Sequence, residues 1–206
     1  MKTSKRALIF TGGSLPDLAE FPLYDTDYVI AADSGYDVCL ALGIRPDLLV
    51  GDLDSVACRA IDPDIPKKLM PTHKDVTDTM LACECAMEQG LREIWILGGL
   101  GGREDHSLSN IFYLEDLKDR GVEARILDRQ NELRLLDTET AVIPRSHWKY
   151  LSLFALDRCT VTVEGCEYPL SDYVLTRKNS FAVSNEIIAD AATVTVRGKI
   201  LLARSK

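Results

Sequence analysis

Aspartates recur where apolar runs end. Val29-Ile30-Ala31-Ala32 leads into Asp33, and Leu48-Leu49-Val50-Gly51 leads into Asp52-Leu53-Asp54. Lys74-Asp75-Val76-Thr77-Asp78 opens a helical stretch, and Ile94-Trp95-Ile96-Leu97 runs through a glycine-rich loop to Arg103-Glu104-Asp105-His106. If these runs are parallel strands, their carboxyl ends share one sheet edge, where ligands bind in α/β folds. Five or six carboxylates gathered there cannot all stay ionised without cations between them. Mg2+ with a polyphosphate substrate supplies that balance.

Each motif also has a plainer reading. On an extended backbone Asp52 and Asp54 point to the same side, and paired oxygens suit Mg2+, which takes one or two carboxylates with waters and phosphate oxygens. A turn after a strand uses Asp and Ser as readily, so both readings stand here. Asp75 and Asp78 fit a helix start, where acids complement the dipole, but Lys74 beside them is not explained that way. Gly98-Gly99-Leu100-Gly101-Gly102-Arg103 joins a strand to a helix, so its N–H groups can approach an anion, and Arg103 adds a bidentate phosphate donor. It is not a P-loop, whose G-x-x-x-x-G-K-[ST] pattern occurs nowhere in the chain. Thr11-Gly12-Gly13-Ser14 reads equally as a connecting loop or a phosphate cradle. His106 reads as a local hydrogen-bonding residue, because His73 and His147 stand at no metal-ligand spacing. Trp95 and Trp148 read as packing residues.

The elements that must position these residues alternate over the first two-thirds of the chain. Short apolar runs at 7–10, 28–32, 48–50, 94–97 and 124–127, with another near 133–136, have the length of buried parallel strands. Helical segments at 36–42, 77–89 and 107–120 each stop at a glycine, Gly43, Gly90 or Gly121. Thr77 is placed to cap the second. The third carries Leu108, Ile111, Phe112, Leu114 and Leu117 at helical spacing. This predicts an α/β domain of Rossmann-like, doubly wound parallel-sheet type over residues 1–137. From 138 to 206 the texture changes to short strands at 150–155, 160–163, 193–196 and 200–203, with Gly165 and Gly198 between them. That predicts a second, smaller all-β sandwich.

Bulk properties narrow the function classes. A chain of 206 residues with 46% hydrophobic content is globular. A net charge of −8 argues against a nucleic-acid partner. The basic start is followed by Ala7-Leu8-Ile9-Phe10, shorter than the roughly 7–15 apolar residues of a secretory leader. No run approaches the roughly 20 needed to cross a membrane. Six cysteines without C-x-x-C spacing read as reduced, mostly buried thiols of a cytoplasmic protein.

Taken together, five ordered stretches resemble the thiamine pyrophosphokinase family. They are Ala32-Asp33-Ser34-Gly35, the run from Leu42 to Ser55, Lys74-Asp75-Val76-Thr77-Asp78-Thr79, Gly98 to His106, and Val183-Ser184-Asn185-Glu186. The chain departs from the family pattern at Ser34 and Ala182, where small residues stand in place of glycines. The resemblance implies pyrophosphate transfer from ATP to the thiamine hydroxyl, Mg2+ as cofactor, a C-terminal thiamine-binding domain and a homodimer. It implies Asp52, Asp54 and Asp75 or Asp78 on the metal, and Asp33, Gly35, Lys74, Gly101, Gly102 and Arg103 on ATP. Asp105, Arg103 and Asp78 would act at the reacting groups, Asp105 as a base or as a metal ligand. Ser184 and Asn185 would contact thiamine. A Mg2+-dependent nucleotide hydrolase and a non-catalytic thiamine or nucleotide sensor are the competing expectations.

Overall fold

The apolar runs of the first half form one parallel sheet. In a computed structural model describing residues 6–53, 56–57, 61–69, 76–179 and 181–206, the chain divides into two compact units, Met1–Arg129 and Gln130–Lys206. The first unit carries β1 (Ala7–Phe10), β2 (Tyr28–Ala32), β3 (Leu48–Gly51), β4 (Lys67–Leu69), β5 (Glu93–Leu97) and β6 (Glu123–Leu127). They lie in the order β6-β5-β1-β2-β3-β4, every pair parallel. All four residues of β1 are buried, as expected of a central strand covered on both faces. Strand β4 was not expected. It is three residues long, sits at the edge and exposes lysine, which is how an edge is kept from pairing further.

Three helices cover this sheet. Helix α1 (Gly35–Ala41) packs on β1 and β2, α2 (Asp78–Glu88) on β1, β2, β3 and β5, and α3 (Glu104–Asp119) on β6. Thr77 caps α2 as expected, accepting the Met80 N–H at 3.3 Å. Helix α3 begins three residues before the expected start, with Glu104 and Asp105 in its first turn. Its buried stripe is Ser107, Asn110, Leu114 and Leu117, while Leu108 and Phe112 of the expected apolar set are 49% and 66% exposed.

The chain leaves β1 toward β2, β3 and β4, then returns on the other side of β1 as β5. The strand order therefore reverses between β1 and β5, and their carboxyl ends open a crevice. Trp95, on β5, packs as expected. The Arg6 guanidinium lies 4.1 Å from the centre of its ring and pairs with buried Asp27 at 2.6 Å.

The second unit is all-β. It carries β7 (Asn131–Asp137), β8 (Thr140–Pro144), β9 (Tyr150–Ala155), β10 (Cys159–Glu164), β11 (Leu170–Leu175), β12 (Asn185–Glu186), β13 (Ala191–Arg197) and β14 (Lys199–Ser205). Strands run antiparallel in the orders β12-β9-β14-β7 and β11-β10-β13-β8. Inward residues alternate along β10 and β13, and Val161, Val163, Val194 and Val196 meet Leu151, Leu153, Ile200 and Leu202 in one core. Buried Glu132 pairs with Arg204 across β7 and β14.

The described cysteines Cys39, Cys83, Cys85, Cys159 and Cys166 are free and buried. Burial pushes the Cys39 thiol up to about 12, so it is not a nucleophile at neutral pH. No helix among the described residues is long and apolar enough to cross a membrane.

Candidate active site

Two adjoining cavities of about 230 and 220 Å³ open at the carboxyl ends of the parallel strands. They share one wall, made by Thr11, Gly12, Thr79 and His106. Thr11 and Gly12 follow β1, where the strand order reverses, so that loop belongs to the site. It is locked to the loop after β5. A Cβ on Gly13 would stand 2.0 Å from the Gly98 carbonyl oxygen, and Gly98 itself has φ +80°. Only glycine allows the two loops to touch there.

The first cavity is the glycine-rich, basic side. It is lined by Gly98, Gly99, Gly101, Arg103 and Asn110 in addition to the shared wall. The loop runs into the start of α3, where Arg103 is the N-cap and supplies no side-chain cap. The positive end of the helix dipole lies at this cavity, a place suited to an anion. Asn110 Nδ2 donates to the Gly99 carbonyl at 2.8 Å, and the Gly101 N–H donates to Ser107 Oγ at 3.1 Å. Arg103 grips Asp105, Nε to Oδ1 at 3.1 Å and Nη2 to Oδ2 at 2.5 Å. Asp105 Oδ1 also accepts the His106 N–H at 3.0 Å. The guanidinium beside it holds the Asp105 carboxyl below the usual carboxylate range.

The second cavity is the acidic side, with Asp33 and Asp78 in its wall. Asp33 sits at the end of β2 with φ +48°, and its N–H donates to the Val50 carbonyl at 2.8 Å. Its Oδ1 is buried and has no hydrogen-bond partner. A Cβ on Gly51 would stand 3.2 Å from Asp78 Oδ1 and 3.3 Å from Asp33 Cβ. The bare glycine thus lets Asp33 and Asp78 approach each other, and both line this cavity. A buried, unpaired carboxylate oxygen beside a second carboxylate is a hard-donor set that fits Mg2+.

Of the expected metal ligands, Asp52 follows β3 and is exposed, while Asp54 and Asp75 lie outside the described residues, as does Lys74. The extended backbone that would turn Asp52 and Asp54 to one side is absent, since Leu53 has φ +65°. Among the described residues no three His, Cys, Asp or Glu side chains gather around one point. Gly35 serves by size. A Cβ there would stand 2.0 Å from the Phe10 carbonyl, so α1 can start directly against β1. Gly101 and Gly102, at φ +83° and +73°, turn the loop into α3.

In the second unit, Ser184 has φ +60° and donates its N–H to Ser152 Oγ at 2.9 Å. Asn185 is buried and spends its carboxamide on backbone. Oδ1 accepts from the N–H groups of Tyr168 and Glu186 at 3.0 Å each, and Nδ2 donates to the Tyr168 carbonyl at 2.7 Å. Tyr173 and Phe181 stack with ring centres 5.1 Å apart, and Phe181 is 67% exposed.

Sequence reasoning underrated His106, which stands in the wall shared by both cavities, and it missed Thr79, Ser107 and Asn110. A signal for the last two was present. They are polar residues on the stripe that Leu114 and Leu117 continue.

The chain matches the sequence model described as thiamin pyrophosphokinase, catalytic domain, over residues 22–126. That span takes in Asp33, Asp78 and the whole glycine-rich loop. The chain belongs to the thiamine pyrophosphokinase family. Residues 140–201 match the model described as the vitamin B1 binding domain of thiamin pyrophosphokinase. A thiamine pyrophosphokinase of Bacillus subtilis (strain 168) is 31% identical over 199 residues, covering 93% of this chain and 92% of that protein. The crystal structure of the thiamine pyrophosphokinase from Bacillus subtilis superposes with a TM-score of 0.88 at 27% identity, covering 98% and 99% of the two chains. That of the family member from Geobacillus thermodenitrificans gives 0.87 at 29%, covering 98% and 97%.

Proposed function

We propose that this chain is the family's pyrophosphotransferase, moving the β- and γ-phosphoryl groups of ATP to the hydroxyl of thiamine and releasing AMP. The observation that carries the site assignment is the pair of cavities with opposite character and a common wall. One offers a glycine-rich loop at a helix N-terminus and a guanidinium, the other two carboxylates. A polyphosphate laid across the wall meets fixed donors on one side and, on the other, oxygens suited to its counter-ion.

Phosphoryl transfers of this kind depend on positioning and charge stabilisation rather than on covalent catalysis by the protein. The loop N–H groups and Arg103 hold phosphate oxygens. Asp33 and Asp78 would hold Mg2+, together with the expected ligands Asp52, Asp54 and Asp75. When bound, that ion supplies neutralising charge to the phosphates. His106 and Thr79 occupy the wall where the group in transit crosses from donor to acceptor. Once phosphate has taken the guanidinium, Asp105 is released to accept a hydrogen bond from the thiamine hydroxyl, orient it for in-line attack and take its proton as the new O–P bond forms and the bond to AMP breaks.

The remaining assignments belong to the same reading. The first unit acts as a Rossmann-like, doubly wound catalytic domain, with Gly35 and Lys74 on the ATP side. The second unit binds thiamine through the segment around Ser184 and Asn185. The enzyme works in the cytoplasm as a homodimer, consistent with its buried free thiols.

The test is 31P NMR of the purified protein with Mg2+-ATP, with and without thiamine. AMP and thiamine diphosphate appearing only together supports the transfer. AMP without thiamine identifies a hydrolase, and an unchanged spectrum a sensor.

A further inference from the structure

Helix α3 buries Ser107, Asn110, Leu114 and Leu117. The spacing is that of a core-facing stripe, yet its first two positions are polar. Buried polar side chains cost free energy unless they find partners. Both find them in the glycine-rich loop. Asn110, 6% exposed, donates to the Gly99 carbonyl at 2.8 Å. Ser107 accepts the Gly101 N–H at 3.1 Å and donates to the Arg103 carbonyl at 3.3 Å. An apolar residue at 110 would continue the stripe of Leu114 and Leu117. The polar choice is therefore explained by the loop and not by the core.

The loop needs such a restraint. Gly98, Gly101 and Gly102 all take positive φ, and Gly99 has no Cβ to oppose rotation of its peptide plane. In a trans peptide the carbonyl and the following N–H point opposite ways. Holding the Gly99 carbonyl on Asn110 therefore aims the Leu100 N–H away from that side chain. A flipped plane would exchange the positions of N–H and carbonyl oxygen, and a carbonyl dipole turned toward a phosphate repels it.

We infer that Asn110, with Ser107 one turn before it, is a positioning residue for pyrophosphoryl transfer, fixing the Gly99–Leu100 peptide plane so that the Gly99 carbonyl stays held on Asn110 and is not turned toward the phosphates. This rests on reading the loop as the phosphate seat. Asn110 acts through the loop, so its loss moves turnover and leaves the thiamine side alone.

The experiment compares full-length wild type, Asn110→Leu and Ser107→Ala. It reads turnover, thiamine KM, thermal melting, and the Gly99 and Leu100 amide signals of 15N-labelled protein titrated with inorganic pyrophosphate. The expected result for Asn110→Leu is a folded protein with kcat lowered about 10- to 100-fold, the scale of a small misplacement in a positioned reaction. Thiamine KM stays unchanged, and the amide response to pyrophosphate is weakened. Ser107→Ala gives a smaller loss of the same kind. If Asn110→Leu does not fold, Asn110→Asp keeps the shape, removes the donor and carries the same expectation. Turnover per folded molecule within about twofold of wild type overturns the inference. Wild-type Gly99 and Leu100 amides that ignore saturating pyrophosphate remove the phosphate reading of the loop, and the inference falls with it.

Discussion

Arg103 and Asp105 occupy each other in the ligand-free protein. Both nitrogens of the guanidinium edge that would grip a phosphate donate instead to the two oxygens of Asp105, at 3.1 and 2.5 Å. The pair is solvent-exposed, 74% and 64% at the side chains. Exposed pairs are weak, so an incoming phosphate displaces the carboxylate readily.

That exchange makes Asp105→Asn a variant with two opposite effects. Freeing the guanidinium tightens inorganic pyrophosphate binding by roughly two- to fivefold, the scale of an exposed pair. Turnover falls, because the hydroxyl loses its acceptor. Calorimetric titration and steady-state assays separate the two. In an Arg103→Gln background the gain in affinity disappears if it comes from the released guanidinium, and persists if it comes from general charge repulsion.

The same pair sets a pH dependence. The Asp105 carboxyl is lowered in the folded protein, first by its bond to Arg103. The interaction is therefore fully present above the ordinary aspartate value, roughly 3.9, and is lost as pH falls through the lower folded value. Asp105 stays ionised throughout the neutral range, so an acid limb of activity near pH 6 comes from another group. Arg103→Gln moves the Asp105 titration upward, measured on the 13C signal of its carboxyl. An unmoved titration would refute the coupling.

Asp33 and Asp78 predict an activity–stability split. Asp33→Asn removes the charge of a half-buried carboxylate whose buried Oδ1 has no partner, so melting is unchanged or raised. Turnover falls on the order of 10²- to 10³-fold, the scale of one lost charge-stabilising group. The Mg2+ concentration for half-maximal rate rises in both Asp33→Asn and Asp78→Asn. A near-normal rate and Mg2+ dependence in both would remove these carboxylates from the metal site.

Asn185 predicts the converse. Its three bonds to backbone at Tyr168 and Glu186 make it a clamp for the second unit. Asn185→Ala leaves those groups unsatisfied and costs about 1–3 kcal/mol, measured by urea denaturation. If thiamine KM rises only as far as folding is lost, the residue shapes the segment. If it rises with stability restored by low temperature, Asn185 also contacts the ligand.

Much of this was legible along the chain, for definite reasons. Strands buried on both faces must be apolar throughout, so β1, β2, β3 and β5 stood out as solid runs. Helix α2 announced itself through the Thr77 cap and the Gly90 stop. Strands β8 and β11 did not, because both are edges with exposed faces that mix polar residues, valine and Pro144, so neither reads as a solid apolar run or a clean alternation. The helical period of α3 was clear while its facing was not. Leu108 and Phe112 share the period of the buried residues, and only the docked helix shows that Ser107 and Asn110 lie inward.

The sequence by itself determined the chemistry on offer: carboxylates at strand ends, a glycine-rich turn into a helix, an arginine beside it. Those are local facts of residue type and of the chain's turn geometry. Tertiary structure alone decided which of them meet. Asp33 and Asp78 stand far apart in sequence, yet they converge because β2 and β3 pair, α2 packs on both, and Gly51 has no side chain to hold them off. Gly13 and Gly98 touch because the sheet reverses its order between β1 and β5, which no spacing along the chain encodes.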